Sequence, residues 1–114
     1  MNNYLVYFSL IIGLLFLYPD KDRLNIEETK ELILKNYILI DVRTYEEYTK
    51  ESYPNAIFFP LKTINSNSVK TKLSKNKKYI VYCRTGRRAK EAYKKLISYG
   101  YDVKYLVGDF RKLL

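Results

Sequence analysis

Lys78-Tyr79-Ile80-Val81-Tyr82-Cys83-Arg84-Thr85-Gly86-Arg87-Arg88-Ala89-Lys90-Glu91-Ala92 is the stretch on which the fold turns. Tyr79 to Tyr82 form a short apolar run, the pattern of a buried strand. The run ends on Cys83, the one cysteine of the chain. Past Arg84, Thr85, Gly86 and Arg87 the spacing changes, and from Arg88 onward it is helical. A single thiol therefore sits where a strand passes into a helix, in a loop with one glycine and three arginines.

That placement has chemical content. The first amides of a helix lack intrahelical partners and carry the positive end of its dipole. A tight loop feeding the helix aims several N–H groups at one point and makes an anion cradle. Helix N-termini and nearby cations both favour thiolate over thiol. Gly86 lets the backbone fold beneath the sulfur without a Cβ in the way. Most lone cysteines are buried core residues, but a core position does not usually border three permanent cations.

Outward from the loop, Ala89, Ala92, Tyr93, Leu96 and Ile97 fall on one helix face, and Gly100 is a natural stop. Val103 to Val107 read as the last strand. Upstream, Asn25 with Glu28 resembles a helix N-cap and its capping-box partner, opening a helix with an apolar face of Ile26, Thr29, Leu32 and Ile33. Tyr37 to Ile40 form a second buried run, closing on Asp41-Val42-Arg43. Thr44 caps a brief helix, Tyr45 to Lys50, with Glu46 and Glu47 in its first turn. Ala56 to Phe59 form a third short strand after the Pro54-Asn55 turn, and Asn65 to Ser68 a loop before a weak helix, Val69 to Leu73. Strands alternating with helices predict an α/β domain with a mostly parallel central sheet flanked by helices. In such sheets ligands bind at the carboxyl ends of strands, where Asp41 and Cys83 both fall.

Composition bounds the function. The 114 residues suffice for one small domain and a short appendage. The net charge of +9 is uneven: Lys70 to Lys95 hold eleven Lys or Arg and one acid, Glu91. This basic half has three readings: a solvated lysine face, electrostatic focusing of a small anion into the loop, or a nucleic-acid surface. The solvated face is preferred, and nucleic acid is not expected as a partner. One cysteine excludes an internal disulfide, and no histidine is present. Histidine-dependent triads and histidine metal sites are thereby excluded, and neither metal nor cofactor is expected.

Tyr4 to Tyr18 are apolar apart from tyrosines, Ser9 and Gly13. As a helix this run reaches about 22 Å, short of a bilayer's roughly 30 Å core. No basic n-region and no small-residue cleavage site accompany it. The reading is an N-terminal apolar helix, a signal-like segment or membrane anchor over residues 1–19 that contacts the membrane through 4–18. Pro19 to Arg23 then form a polar linker, and 24–114 form the domain. Lys21, Arg23, Lys30 and Lys35 lie only on the C-terminal side of the run, which favours a cytoplasmic domain. Asp20 and Asp22 dilute that bias, and an extracytoplasmic domain is the alternative.

Leu39-Ile40-Asp41-Val42-Arg43-Thr44 with Glu46, Glu47 and Tyr48, Pro54-Asn55-Ala56-Ile57 with Pro60-Leu61, and Tyr82 to Ala89 together resemble the rhodanese-homology family of single-domain sulfurtransferases. The closing helix and strand, Leu96 to Tyr101 and Val103 to Gly108, continue the likeness in the family's order. The resemblance implies a rhodanese-like fold and transfer of sulfane sulfur through Cys83, from a small anionic donor such as thiosulfate or a persulfide to a thiol or protein acceptor. It makes Cys83 the nucleophile, and the amides of Arg84, Thr85, Gly86, Arg87 and Arg88 the holders of the persulfide. Arg84 or Arg87 would meet the donor, Arg88 would tie the loop down, and Asp41 and Arg43 would form a supporting ion pair. Ser52-Tyr53 and Gly108-Asp109 depart from the family's usual His-Ile and Gly-Gly. A cysteine phosphatase would need an arginine at position 89, which is alanine. The rival from another class is a non-turnover persulfide carrier or partner-docking module at the membrane.

Overall fold

Alternation along β4 (Lys78–Tyr82) sorts the apolar residues onto two sides of a sheet. Tyr79, Val81 and then Cys83 belong to one core, and Ile80 and Tyr82 to the other. The structure, a computed structural model, describes residues 20–114. The expected N-terminal apolar helix and anchor, residues 1–19, lie outside the described residues. Among those described, no helix is long and apolar enough to cross a membrane.

Five strands form one sheet in the order β1-β5-β4-β2-β3, with every neighbouring pair parallel. They are β1 (Arg23–Leu24), β2 (Ile38–Asp41), β3 (Ile57–Phe58), β4 and β5 (Asp102–Leu106). Helices α1 (Ile26–Leu34), α2 (Tyr45–Lys50), α3 (Ser68–Lys72) and α4 (Arg87–Ser98) connect them. α4 lays Ala89, Ala92, Tyr93 and Leu96 against the core that contains Val81 and Cys83. α1 brings Ile26, Leu32 and Ile33 to the opposite core, around Leu24, Leu39, Ile80, Tyr82 and Leu106. Both faces are thus covered, as expected for a parallel sheet.

The caps follow the local sequence. Asn25 and Glu28 form the expected capping box, and Thr44 forms a second one with Glu47. From β2 the chain moves outward to β3, whereas from β4 it moves the other way to β5. β2 and β4 therefore flank the point where strand order reverses, the usual place for a ligand crevice in open parallel sheets. Asp41 stands opposite Tyr82 in register, and Val42 N donates to Tyr82 O at 3.2 Å.

Three expectations need correction. Residues 20–23 are not a free linker. Arg23 and Leu24 pair with Tyr105 and Leu106, Tyr105 N donates to Asp22 O at 2.9 Å, and Tyr105 and Tyr93 hydroxyls donate to Asp20 and Asp22 carboxylates. The third strand is two residues rather than four, Ile57–Phe58; Phe59 N still donates to Asp41 O at 2.8 Å, and a 3-10 turn follows at Leu61–Thr63. Ile97 is 41% exposed, at the rim of the apolar face rather than within it.

Candidate active site

Cys83 is the first residue beyond β4, and the alternation that puts Val81 beneath α4 puts its side chain there too. It is 2% exposed. The backbone reverses over it at once, and two amides reach back to the sulfur. Gly86 N donates to Cys83 Sγ at 3.0 Å and Ala89 N donates at 3.3 Å. Both come from the start of α4, where Gly86 is the N-cap and Ala89 the third helical residue. The amides of Arg84, Thr85, Arg87 and Arg88 donate to no acceptor among the described residues.

Gly86 is required here on two counts. Its φ is +128°, a conformation that residues with a Cβ rarely adopt. A Cβ there would also stand 3.2 Å from Val107 Cα and Cγ2. The crowding comes from the residue after β5, not from the sulfur. The same segment ties the loop down, since Gly108 N donates to Thr85 O at 3.2 Å.

Arg88 anchors the other side. Its guanidinium grips Glu47 of α2 in a two-pronged pair, Nη1 to Oε1 at 2.6 Å and Nη2 to Oε2 at 2.9 Å. The Arg88 bond, outweighing the opposing effect of burial, lowers the Glu47 carboxyl to about 2. Arg88 is in turn made more basic, by Glu47 first and, after the opposing effect of burial, by the nearby Cys83. Glu47 thus joins its own capping box to the cysteine loop, a role that its position in the first turn of α2 did not disclose.

Asp41 and Arg43 engage each other rather than the sulfur. Arg43 Nη2 donates to Asp41 Oδ2 at 2.7 Å and to Glu51 O at 2.5 Å. Tyr82 Oη donates to Asp41 Oδ2 at 2.7 Å and accepts Tyr53 N at 2.9 Å. Burial first, and then the Asp41 carboxylate, push the Tyr82 phenol well above its usual range despite the opposing Tyr53 amide. Burial opposes the Arg43 charge, but Asp41 more than offsets it and the guanidinium is more basic than usual. Phe110 stacks on Tyr82 with centroids 4.7 Å apart and lies under Arg43 at 4.4 Å. This buried network braces the carboxyl ends of β2 and β4, the ground on which the cysteine loop stands.

A cavity of about 490 Å³ opens over the loop, lined by Arg84, Thr85, Arg87 and Arg88. Four of the five loop residues singled out from sequence therefore share one cavity, whereas Gly86 lines the neighbouring one and Cys83 lines neither. Ala89 and Glu47 are the additions. Ala89 acts through its backbone, so only its place in the first helical turn signals the role. No group of three or more residues able to hold a metal occurs among the described residues. Chemically, the arrangement stabilises negative charge on sulfur, or on an atom attached to it, with fixed amide dipoles and cations.

The sequence model of the Rhodanese-like domain matches residues 25–114. Among solved structures, a rhodanese-related protein from Thermoplasma volcanium is 27% identical, with 80% of this chain and 88% of that one covered and a TM-score of 0.68. A Bacillus halodurans protein is 31% identical over 98% of this chain and 80% of its own, also at a TM-score of 0.68. A rhodanese-like domain protein from Staphylococcus aureus is 26% identical over 82% and 91%, at a TM-score of 0.70. No curated protein matches the chain at a significant level.

Proposed function

The chain belongs to the rhodanese-like domain family, and on that premise we propose that it is a sulfurtransferase carrying sulfane sulfur on Cys83. The observation that carries this reading is the pair of amides, from Gly86 and Ala89, directed onto a buried sulfur whose loop presents three arginines and Thr85 to a cavity.

Each half-reaction is a displacement at sulfur. The Cys83 thiolate attacks the outer sulfur of thiosulfate, the S–S bond of the donor breaks, and sulfite leaves with the electron pair. Cys83 then bears a terminal, negatively charged sulfur. The amides of Arg84, Thr85, Arg87 and Arg88, which have no acceptor among the described residues, would hold that sulfur. In the second half, an acceptor such as cyanide attacks the outer sulfur and thiocyanate departs, returning Cys83 to thiolate. No proton, metal or external oxidant is needed. Arg84 and Arg87 meet the incoming anion, whereas Arg88, already held by Glu47, fixes the loop.

Intact-mass spectrometry after thiosulfate treatment tests the reading. A gain of about 32 Da that a thiol removes is expected for the wild type and not for Cys83→Ser. Failure of the wild type to gain that mass overturns it. A second reading, a carrier that hands sulfur only to a docked partner, is favoured by the low exposure of Cys83, 2%. It predicts the same mass gain with no sustained thiocyanate production. The apolar run 4–18 further supports attachment to a membrane, with the domain on the cytoplasmic side by the lysine and arginine bias. Membrane fractionation of the full chain, with protease protection, tests both points.

A further inference from the structure

A small anion needs only part of the charge around the cysteine loop. The cavity over the loop adjoins a second one, of about 290 Å³, because Thr85 and Arg87 line both. The second cavity adds Arg23 from β1 and Lys90 from α4. Arg23, Arg84, Arg87 and Lys90 are all exposed, and none forms an ion pair among the described residues. Asp20 lies within electrostatic reach of Arg23 and Lys90 and offsets part of their charge, while its carboxylate also accepts the Tyr105 hydroxyl.

The other flank of Arg84 differs. There a cavity of about 470 Å³ is lined by four cations, Arg43, Lys50, Arg84 itself and Arg111, and by three carboxylates, Glu47, Glu51 and Asp109. Most of these charges are paired, Arg43 with Asp41, Glu47 with Arg88, and Arg111 with Asp109, whereas Lys50 forms no ion pair among the described residues. The two flanks thus differ in their carboxylates: three line the cavity beside Arg43 and none lines the cavity of Arg23, Arg87 and Lys90, which runs from the mouth of the loop to the start of the sheet.

We infer that this side is the docking surface for an acidic polypeptide that exchanges sulfur with Cys83 through a cysteine of its own. The inference rests on the sulfurtransferase reading above. Because Cys83 is 2% exposed, a polypeptide sulfur reaches it only with the flanking residues pressed against the rim. Those residues meet four cations, and carboxylates there match charge and speed encounter. The thiolate of the partner attacks the outer sulfur on Cys83. A new S–S bond forms on the partner, the old one breaks, and its electron pair stays on Cys83 Sγ. Nucleic acid fits less well. It brings no sulfur nucleophile, and the one aromatic lining the two cavities on this side, Tyr105, is 1% exposed and offers no stacking face.

The test uses the full chain and two synthetic cysteine peptides of equal length, one flanked by Asp and Glu, the other by Gln and Ser. Transfer from thiosulfate-loaded protein is followed at low and high salt. Peptide binding to Cys83→Ser is followed in parallel by fluorescence anisotropy, which needs no chemistry. The acidic peptide is expected to react and bind about tenfold better at low salt, with the advantage shrinking as the Debye length falls below the spacing of the charges. Arg23→Glu with Lys90→Glu should abolish the preference and leave thiosulfate-to-cyanide turnover, or the mass gain where turnover is absent, within about twofold of wild type. Should that pair fail to fold, Lys90→Gln alone should halve the preference or more. Equal handling of the two peptides overturns the inference, as does tighter binding of single-stranded RNA that displaces the acidic peptide. Loss of the persulfide itself overturns the sulfurtransferase reading instead, and the anisotropy arm then decides the docking surface alone.

Discussion

Replacing Glu47 with Gln isolates the charge in the clamp on the cysteine loop. Gln retains the amide oxygen that the Thr44 capping box needs, so α2 should start as before. What disappears is the carboxylate facing Arg88. In the folded protein that carboxyl ionises at about 2, against 4.5 for an unperturbed glutamate, chiefly because of Arg88. At about 1.4 kcal/mol per pH unit, the difference corresponds to at most about 3 kcal/mol. The two side chains are 30% and 31% exposed, and solvent screening brings the expected loss to about 1–2 kcal/mol. For a folded unit of this size, that lowers Tm by roughly 5–10 °C. The pH dependence gives the sign. A depressed carboxyl contributes its full stability above the unfolded value of 4.5, and the contribution disappears as pH falls through about 2. Urea unfolding of wild type and Glu47→Gln from pH 7 to pH 2 should therefore show two curves that are parallel above about pH 5 and converge below it. Asp109, also held near 2 by Arg111, titrates in both proteins and cancels in the difference. Equal stabilities at pH 7, or a gap that stays constant down to pH 2, would refute the clamp.

Gly86→Ala should lose about 2 kcal/mol in urea unfolding, from the positive φ and the approach to Val107, and should fail to gain sulfur from thiosulfate. Tyr82→Phe leaves the Tyr53 amide without its acceptor and removes one donor from Asp41 Oδ2, which keeps Arg43, an expected loss of about 1–3 kcal/mol by the same assay. Asp41→Asn breaks a buried pair and should lower stability by about 3–5 kcal/mol, read as a fall in soluble, cooperatively melting protein. A stability unchanged by either of the last two substitutions would mean that the buried network does not brace the sheet ends.

Much of this architecture could be read from the residues because it is local. The alternation of Tyr79, Val81 and Cys83 against Ile80 and Tyr82 fixes which side of β4 carries the sulfur. Asn25, Thr44 and Gly100 mark helix ends through chemistry confined to a few positions. What escaped the reading is set by distant partners. Arg23-Leu24 has no apolar run of its own and is a strand only because β5 stands beside it. Glu47 looks like an ordinary first-turn acid until Arg88, 41 positions away, is brought to it. Ala89 carries no chemistry in its side chain, yet its amide is one of two on the sulfur. Ile97 satisfies the helical spacing but stands at the edge of the helix–sheet contact, where no neighbour covers it fully.

The placement of β1 sets an order of assembly. It comes first among the described strands yet hydrogen-bonds to the last, so it cannot dock until β5 exists. Such long-range closure is a late event in folding and an early one in local opening. The amides of Tyr105 and Val107, which donate to Asp22 O and Leu24 O at 2.9 Å, should therefore exchange with deuterium sooner than those within β4. Since Val107 also packs over Gly86, each fraying of that edge would slacken the wall behind the sulfur, making the outermost strand a brake on the chemistry at the centre of the sheet.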